Sequence, residues 1–336
     1  MHFRHAQEPS IVVAAARSGA PQKRETNMSE DILIAGYGPV GRATWERLRE
    51  SGRTARVAQR TRPASLPADV AFQTCDALDA ESTRRAVAGA KQVVLAIGFP
   101  YLGKVWKEAW PRTMTNMVEA CGATGARLVF ADNLYMYGPR DAPLTEDTPL
   151  SDFGVKPAAR AEATRVWRAA SAAGRLRCAA LRAPDFYGPG VGASWLGQTG
   201  FGALARGKPA MVIGSPDTPH DFAYVPDIAR AIVTLLDAPD DAYGRAWHVP
   251  CAPTRTPREI FALGAAALGV APRVRGLPIR ALPFAGLFVP QLKPEMSFQW
   301  DRPYRVDSRA FAARFWGDAT PFEIGAPAAA LSFRAG

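Results

Sequence analysis

Short apolar runs alternate with longer amphipathic stretches through the first half of the chain. Asp31–Gly36, Ala55–Gln59, Val70–Thr74, Gln92–Ile97, Arg127–Ala131 and Cys178–Arg182 read as strands. Gln92–Ile97 is almost continuously apolar, as a strand covered on both faces must be. Between these runs, Arg42–Glu50, Glu81–Ala88, Lys104–Cys121 and Pro157–Ala173 read as helices. Strands and helices alternating at this rhythm predict a doubly wound parallel α/β sheet. Beyond Ala183, Gly and Pro become frequent and the elements shorten. Asp227 is placed to cap a helix starting DIARAIVTLL. Thr256, Pro257 and Glu259 form a capping box with proline at the first helical position. This second half is expected to build a smaller C-terminal substrate lobe.

Composition narrows the partners. The chain has 336 residues, 48% of them hydrophobic, enough for one large core and a smaller lobe. Its formal net charge is +10, but Lys and Arg are scattered, with no basic tail or aromatic-interleaved stripe. That argues against nucleic acid and fits a phosphate-bearing cofactor or an anionic small-molecule substrate. Cys75, Cys121, Cys178 and Cys251 are too far apart for a metal motif or a disulfide framework, and suit buried thiols in a reducing cytoplasm. The best apolar run, Ala281–Val289, is short and bounded by Pro283 and Pro290, so no membrane span is expected. There is no G-x-S-x-G elbow and no H-E-x-x-H pair.

The strongest local signal is Gly36-Tyr37-Gly38-Pro39-Val40-Gly41, a G-x-G-x-x-G run that follows a predicted strand and opens a predicted helix. Gly36 permits the tight turn, Gly38 lets a pyrophosphate approach the backbone, and Gly41 allows close packing of helix on strand. The helix N-terminus offers free N–H groups to the phosphates. This is the context of a Rossmann dinucleotide site. The end of the second strand reads Gln59-Arg60-Thr61-Arg62, with no acidic residue to hold a ribose 2′-hydroxyl. Arg60 and Arg62 are therefore candidates to clamp a 2′-phosphate, which favours NADP over NAD. Asp76 ends the third strand where a side chain meets the adenine edge. Ala96, Ile97 and Gly98 end the fourth, where small residues let the backbone run beside the cofactor. Asn116, inside a helix, suits either a structural or a solvated amide. The expected organisation is a disordered leader over 1–27 with Met28 as functional start, a NAD(P)-binding domain over 28–185, and a substrate lobe over 186–336 interleaved with late sheet elements.

From Asp31 to near its C-terminus the chain resembles the extended short-chain dehydrogenases, the NAD-dependent epimerase/dehydratase group. The resemblance rests on the glycine loop, CDALD, VFADNLYMYGP, LRAPDFYGPGVG, HDFAYVPDIARAIVTLL and YRVDSRAFAARFWG, in that order. It implies a serine, a Tyr-x-x-x-Lys pair, a cytoplasmic setting, and a cofactor contact at Pro184. It allows a homodimer contact through Lys104–Cys121 and Pro157–Ala173. The tyrosine is missing. Lys156 falls at its position and Arg160 at that of the lysine; a second register sets Asp152 and Lys156 there instead. Asp132 and Asn133 replace the serines, with Tyr135 and Tyr137 nearby.

Three assignments of the proton-transfer group stay open. Lys156 can serve, if burial and a cationic neighbour such as Arg160 lower its free value of about 10.4. Asp132, Tyr135 or water can serve instead. Or the site binds cofactor without chemistry. His220 occupies the neighbourhood where sugar-nucleotide enzymes of the family commonly carry an arginine, which weakens that assignment, and Trp195 and Trp300 are candidates to line a pocket. The expected activity is an NADP-dependent oxidoreductase acting on a carbonyl or secondary alcohol. The alternatives are a nucleotide-sugar epimerase or dehydratase with bound NAD and a silent NAD(P) sensor.

Overall fold

The computed structural model describes residues 31–284 and 294–334. The leader, the start at Met28 and the end of the apolar run Ala281–Val289 lie outside them. The first half builds β1 (Ile32–Ala35), α1 (Pro39–Glu50), β2 (Arg56–Gln59), β3 (Phe72–Thr74), α2 (Ala80–Val87), β4 (Gln92–Leu95), α3 (Gly103–Thr124), β5 (Arg127–Asp132), α4 (Val155–Ala172) and β6 (Arg177–Arg182). Each apolar run therefore becomes a strand, with ends shifted by a residue or two. Asp79 caps α2 by accepting from the Ser82 N–H at 2.6 Å. Gly125, at φ 71°, ends α3 in the left-handed region where a side chain would be strained.

The second half contributes β7 (Asp185–Tyr187), β8 (Ala210–Ile213), α5 (Gly202–Ala205), β9 (Phe222–Tyr224), α6 (Val225–Asp237), β10 (Arg245–His248), α7 (Pro257–Leu268), β11 (Val274–Leu277), α8 (Arg309–Arg314) and α9 (Phe322–Leu331). The main sheet has seven strands in the order β10-β6-β5-β4-β1-β2-β3, every neighbouring pair parallel. β10 thus returns from the second half to the sheet edge. The strand order reverses between β1 and β4, and the crevice at the carboxyl ends of these strands is where open α/β sheets bind ligands.

Alternation along the strands builds two cores. Ile32 and Ile34 face one layer with Trp45, Leu48, Ile232 and Leu235 of α1 and α6. Leu33 and Ala35 face the other with Trp106, Trp110, Met114 and Trp167 of α3 and α4. A third core, around Phe201, Phe261 and Phe322, holds the smaller lobe, where β11 pairs with β8 in parallel. β7 pairs with β9 at the junction. α8 goes back to the main sheet, its Phe311 ring 6.0 Å from Trp247.

One helix start differs from expectation. α6 begins at Val225, so Asp227 lies in its first turn, and its carboxylate accepts from the Thr320 N–H at 2.8 Å and hydroxyl at 2.9 Å instead of capping. The Thr256 capping box is present as the sequence predicts, its side chain accepting from Glu259 N. Replacing Thr256 by Ala leaves that donor unpaired and should lower the free energy of unfolding by about 1 kcal/mol in urea titration; no change would show that the cap contributes nothing to stability.

Candidate active site

The glycine loop sits at the carboxyl end of β1. Gly36 has φ +100°, and a Cβ there would meet Ala96 O at 2.7 Å. A Cβ on Gly41 would meet Gly36 O at 2.0 Å, so the loop and α1 tolerate only glycine at these two positions. A Cβ on Gly38, by contrast, would find nothing within 4 Å. Open space therefore lies over the one glycine whose role is to let a ligand approach. α1 starts with Pro39 in its first turn and has neither a side-chain cap nor an acidic residue there. Its N-terminal N–H groups, those of Val40 and Gly41, are left for an anion. Ala96 binds Ala35 O through its N–H at 2.8 Å, and Gly98 beyond it borders open space. These residues fit the pyrophosphate of a dinucleotide.

Around the end of β2 the structure sorts the candidates. Gln59 accepts from the Tyr37 N–H at 3.0 Å and donates to Thr61 O at 3.0 Å, so it shapes the glycine loop. Tyr37 packs its ring against Trp45 rather than outward. Arg62 is not free to clamp a phosphate: its Nη2 donates to Pro67 O at 2.6 Å, Val70 O at 3.1 Å and Ala68 O at 3.2 Å, closing its own loop. Arg60 is exposed and has no partner among the described residues. Asp76 accepts from Leu78 N at 3.0 Å and holds the turn after β3. Asn116 donates to Ala77 O at 2.9 Å, tying α3 to the same turn, so its role is structural.

Asp132 and Arg160, two of the candidate catalytic residues, are buried in a charge cluster. Asp132 accepts from Arg160 Nη2 and, at 3.3 Å, from Arg182 Nε, with none of its side chain exposed. Arg182 also donates to the Tyr137 hydroxyl at 2.6 Å and to Thr164 at 3.2 Å. Tyr137 donates in turn to His248 Nε2 at 2.9 Å, since His248 Nδ1 must give its proton to the Asp307 carbonyl at 3.0 Å. Burial, then the Arg182 charge, lower the His248 pKa to about 3 and keep the ring neutral. The Arg160 guanidinium lies 3.8 Å above the Trp110 ring and 5.0 Å from Phe130, and burial lowers its pKa. Asp132 and Arg160 therefore brace β5, α4 and β6 from within, and neither reaches the cleft.

Lys156 is also buried, at the start of α4. Its ammonium pairs with Glu295 and lies 4.5 Å from the centre of the Tyr101 ring. The expected cationic neighbour is thus replaced by a carboxylate, because Arg160 turns to Asp132. Burial works to raise the Glu295 carboxyl, but the bond and charge of Lys156 and the Val155 N–H at 2.9 Å outweigh it, and its pKa lies below the usual value.

The cleft-facing groups stand beside this pair. Asn133 accepts from the Tyr135 N–H at 3.0 Å, and its amide nitrogen has no partner among the described residues. Tyr135 stacks on Trp106, with ring centroids 5.9 Å apart, and points its hydroxyl at Asp185 Oδ1 at 3.5 Å. Burial, then Asp185, raise the Tyr135 pKa. Asp185 Oδ2 lies 3.1 Å from His220 Nε2. His220 is buried and stacks on Trp300, with Trp195 behind it. Pro184 is buried between β6 and β7. Glu295 and His248 escape sequence reasoning, since their partners lie far along the chain; Asp185 and His220 can each be placed near the cleft from the sequence, but their pairing cannot.

The sequence profile of the NAD dependent epimerase/dehydratase family matches residues 32–249. No curated protein sequence matches the chain. Among solved structures, the chain is similar to the Bordetella bronchiseptica enzyme WbmH in complex with NAD+, at 18% identity and TM-score 0.72 over 91% of this chain and 98% of that one. It is similar to the Thermus thermophilus UDP-glucose 4-epimerase complex with NAD, at 21% identity and TM-score 0.72 over 90% and 98%. It is also similar to a DesIV double mutant from Streptomyces venezuelae, a dTDP-glucose 4,6-dehydratase, at 18% identity and TM-score 0.73 over 90% and 96%. At these identities the likeness is one of fold.

Two outcomes follow from the buried cluster. Asp132→Asn leaves two guanidiniums without their counter-charge and should cost about 3–5 kcal/mol of stability in urea unfolding; a loss within error would show the cluster is not bracing the sheet. His248 binds a proton far less readily when folded, about 3 against an ordinary 6.5. Its contribution to stability is therefore complete above the ordinary value and declines as pH falls from there toward 3. Glu295, also depressed, adds loss in the same direction at lower pH. The urea midpoint should fall on acidification across this window, and His248→Gln should flatten its upper part; an identical slope in the variant would contradict the assignment.

Proposed function

The chain belongs to the NAD dependent epimerase/dehydratase family, and on that premise we propose that it is an enzyme that interconverts a carbonyl and a secondary alcohol on a small substrate with a bound nicotinamide dinucleotide. When bound, the dinucleotide supplies or removes the hydride. The observation that carries this proposal is an open glycine loop and an uncapped α1 after β1, with the free Asn133 amide after β5 at the same edge of the sheet, one strand (β4) between them. Val40 and Gly41 would bind the pyrophosphate through their N–H groups. Ala96, Ile97 and Gly98 would flank it, and Pro184 would wall the far end. Asn133 Nδ2 would donate to the substrate oxygen. Lys156 would line the cleft floor through its pair with Glu295.

Cofactor choice follows from β2. No carboxylate stands there for a 2′-hydroxyl, and Arg60 is the one guanidinium of its pair left unengaged by its loop. We therefore assign NADP ahead of NAD, with Arg60 alone at the 2′-phosphate. His220 is buried and engaged with Asp185, so its ring is not offered to the far end of a nucleotide sugar. That favours a compact carbonyl substrate.

Titration with NADPH and NADH tests this directly. Wild-type protein should bind both, NADPH more tightly. Arg60→Ala should weaken NADPH by about tenfold or more, the worth of one charge-assisted contact, and leave NADH unchanged. Arg62→Ala should lower thermal stability without altering the NADPH-to-NADH ratio. Absence of binding by either nucleotide, with the wild-type fold intact, would overturn the proposal.

A further inference from the structure

We propose that Asp185 and His220 hold a shared proton and that the Tyr135 hydroxyl is its outlet to the cleft, a relay standing in for the missing tyrosine of the family. The proposal rests on the oxidoreductase reading above for its use, but not for its geometry.

The shared proton follows from donor and acceptor counting. His220 Nδ1 lies 3.1 Å from the backbone carbonyl of Gln299. A carbonyl oxygen only accepts, so Nδ1 carries hydrogen. In a neutral ring Nε2 then has a lone pair, and it faces Asp185 Oδ2 at 3.1 Å. Two lone pairs at that distance repel. The contact needs one more proton, on Nε2 or on the carboxyl, and either arrangement leaves the pair neutral overall. Neutrality suits the setting: His220 is 1% exposed and sandwiched by Trp300 at 4.3 Å and Tyr304 at 5.1 Å. The Asp185 side chain is 14% exposed, so the pair is closed at its His220 end and open only at Asp185.

Tyr135 occupies that open end, its hydroxyl donating to Asp185 Oδ1 at 3.5 Å. It stands two residues beyond Asn133. The other charged or titratable groups nearby are Tyr101 and Arg160 against Tyr135, Tyr304 against Asp185, Asp221 next to His220, and Glu295 against Tyr101. Burial and the Asp185 charge raise the Tyr135 pKa, with Tyr101, Gln299 and Arg160 opposing them, so the hydroxyl rests protonated, as a proton donor must.

The proton balance is simple. As a substrate carbonyl is reduced by the nicotinamide dinucleotide, the Tyr135 O–H bond breaks and its proton bonds to the substrate oxygen. The phenolate then takes the shared proton, leaving an Asp185 carboxylate and a neutral His220 with Nδ1 protonated. A proton from water restores the pair. Alcohol oxidation runs the same transfers backwards. Tyr135 would be the catalytic residue, and Asp185 and His220 its positioning partners.

The test uses nucleotide-free full-length protein labelled with ¹⁵N, with His220→Gln to assign the ring. The expected result is a strongly downfield proton correlated with His220 Nε2, lost in Asp185→Asn. In Tyr135→Phe the proton should persist but exchange with water about tenfold more slowly, because the hydroxyl that hands it on is gone and exchange falls back on rarer direct access of water to Asp185. Removing one hydroxyl keeps the Trp106 stack, and a thermal melt confirms folding. Should Asp185→Asn fail to fold, the wild-type spectrum alone decides the shared proton. An Nε2 without a proton signal in wild type, or unchanged exchange in Tyr135→Phe, would overturn the relay. Neither result depends on nucleotide binding, so failure here and failure of the proposed function are read separately.

Discussion

Asp132 held between Arg160 and Arg182 is the constraint on which the site depends. The three residues come from β5, α4 and β6, and Arg182 extends the network through Tyr137 to His248 on β10. A strand from the second half of the chain is thereby locked to the main sheet by polar contacts as well as by its ladder. Two guanidiniums and one carboxylate leave a net positive charge in the interior. Burying such a charge is costly unless it is compensated. Trp110, Phe130 and Trp106 supply part of the compensation by presenting ring faces to Arg160. Two of the Arg160 nitrogens still lack an acceptor among the described residues. The cluster is therefore strained in electrostatic terms and sensitive to loss of any member.

This arrangement takes several of the candidate groups out of the cleft. Asp132 and Arg160, which the sequence offers for the chemistry, are spent on holding strands together. Lys156, at the tyrosine position, is spent on Glu295. What remains open at the carboxyl ends of the strands is the Asn133 amide and the Tyr135 hydroxyl, with Asp185 and His220 behind. The cofactor half of the site shows no such departure. Its glycines keep the close approaches that the loop requires, and its helix start keeps unpaired N–H groups.

The parts of the fold set by local periodicity were legible in the sequence. Continuous apolar runs mark strands covered on both faces, and β1 is buried at all four positions. The capping box at Thr256 is a contact within one turn and was equally readable. Side-chain partners across the chain were not. Lys156 and Glu295 are 139 positions apart, and His220 and Asp185 are 35 apart. Arg62 shows the same limit at short range. Its charge pointed to a phosphate, but three carbonyls of its own loop were nearer. Asp227 looked like a cap because it precedes an apolar helix, yet the docking of Thr320 claims its carboxylate. In each case residue type was read correctly and the competing partner was invisible.

The central claim is that a nicotinamide dinucleotide lies along the glycine loop and ends beside Asn133 and Tyr135. Backbone hydrogen exchange, followed by mass spectrometry with and without saturating NADPH, tests it most directly. Slowed exchange confined to residues 36–42, 96–98 and 133–136 is the predicted result. Unchanged exchange at the glycine loop while NADPH is bound elsewhere, or protection restricted to the smaller lobe, would contradict it.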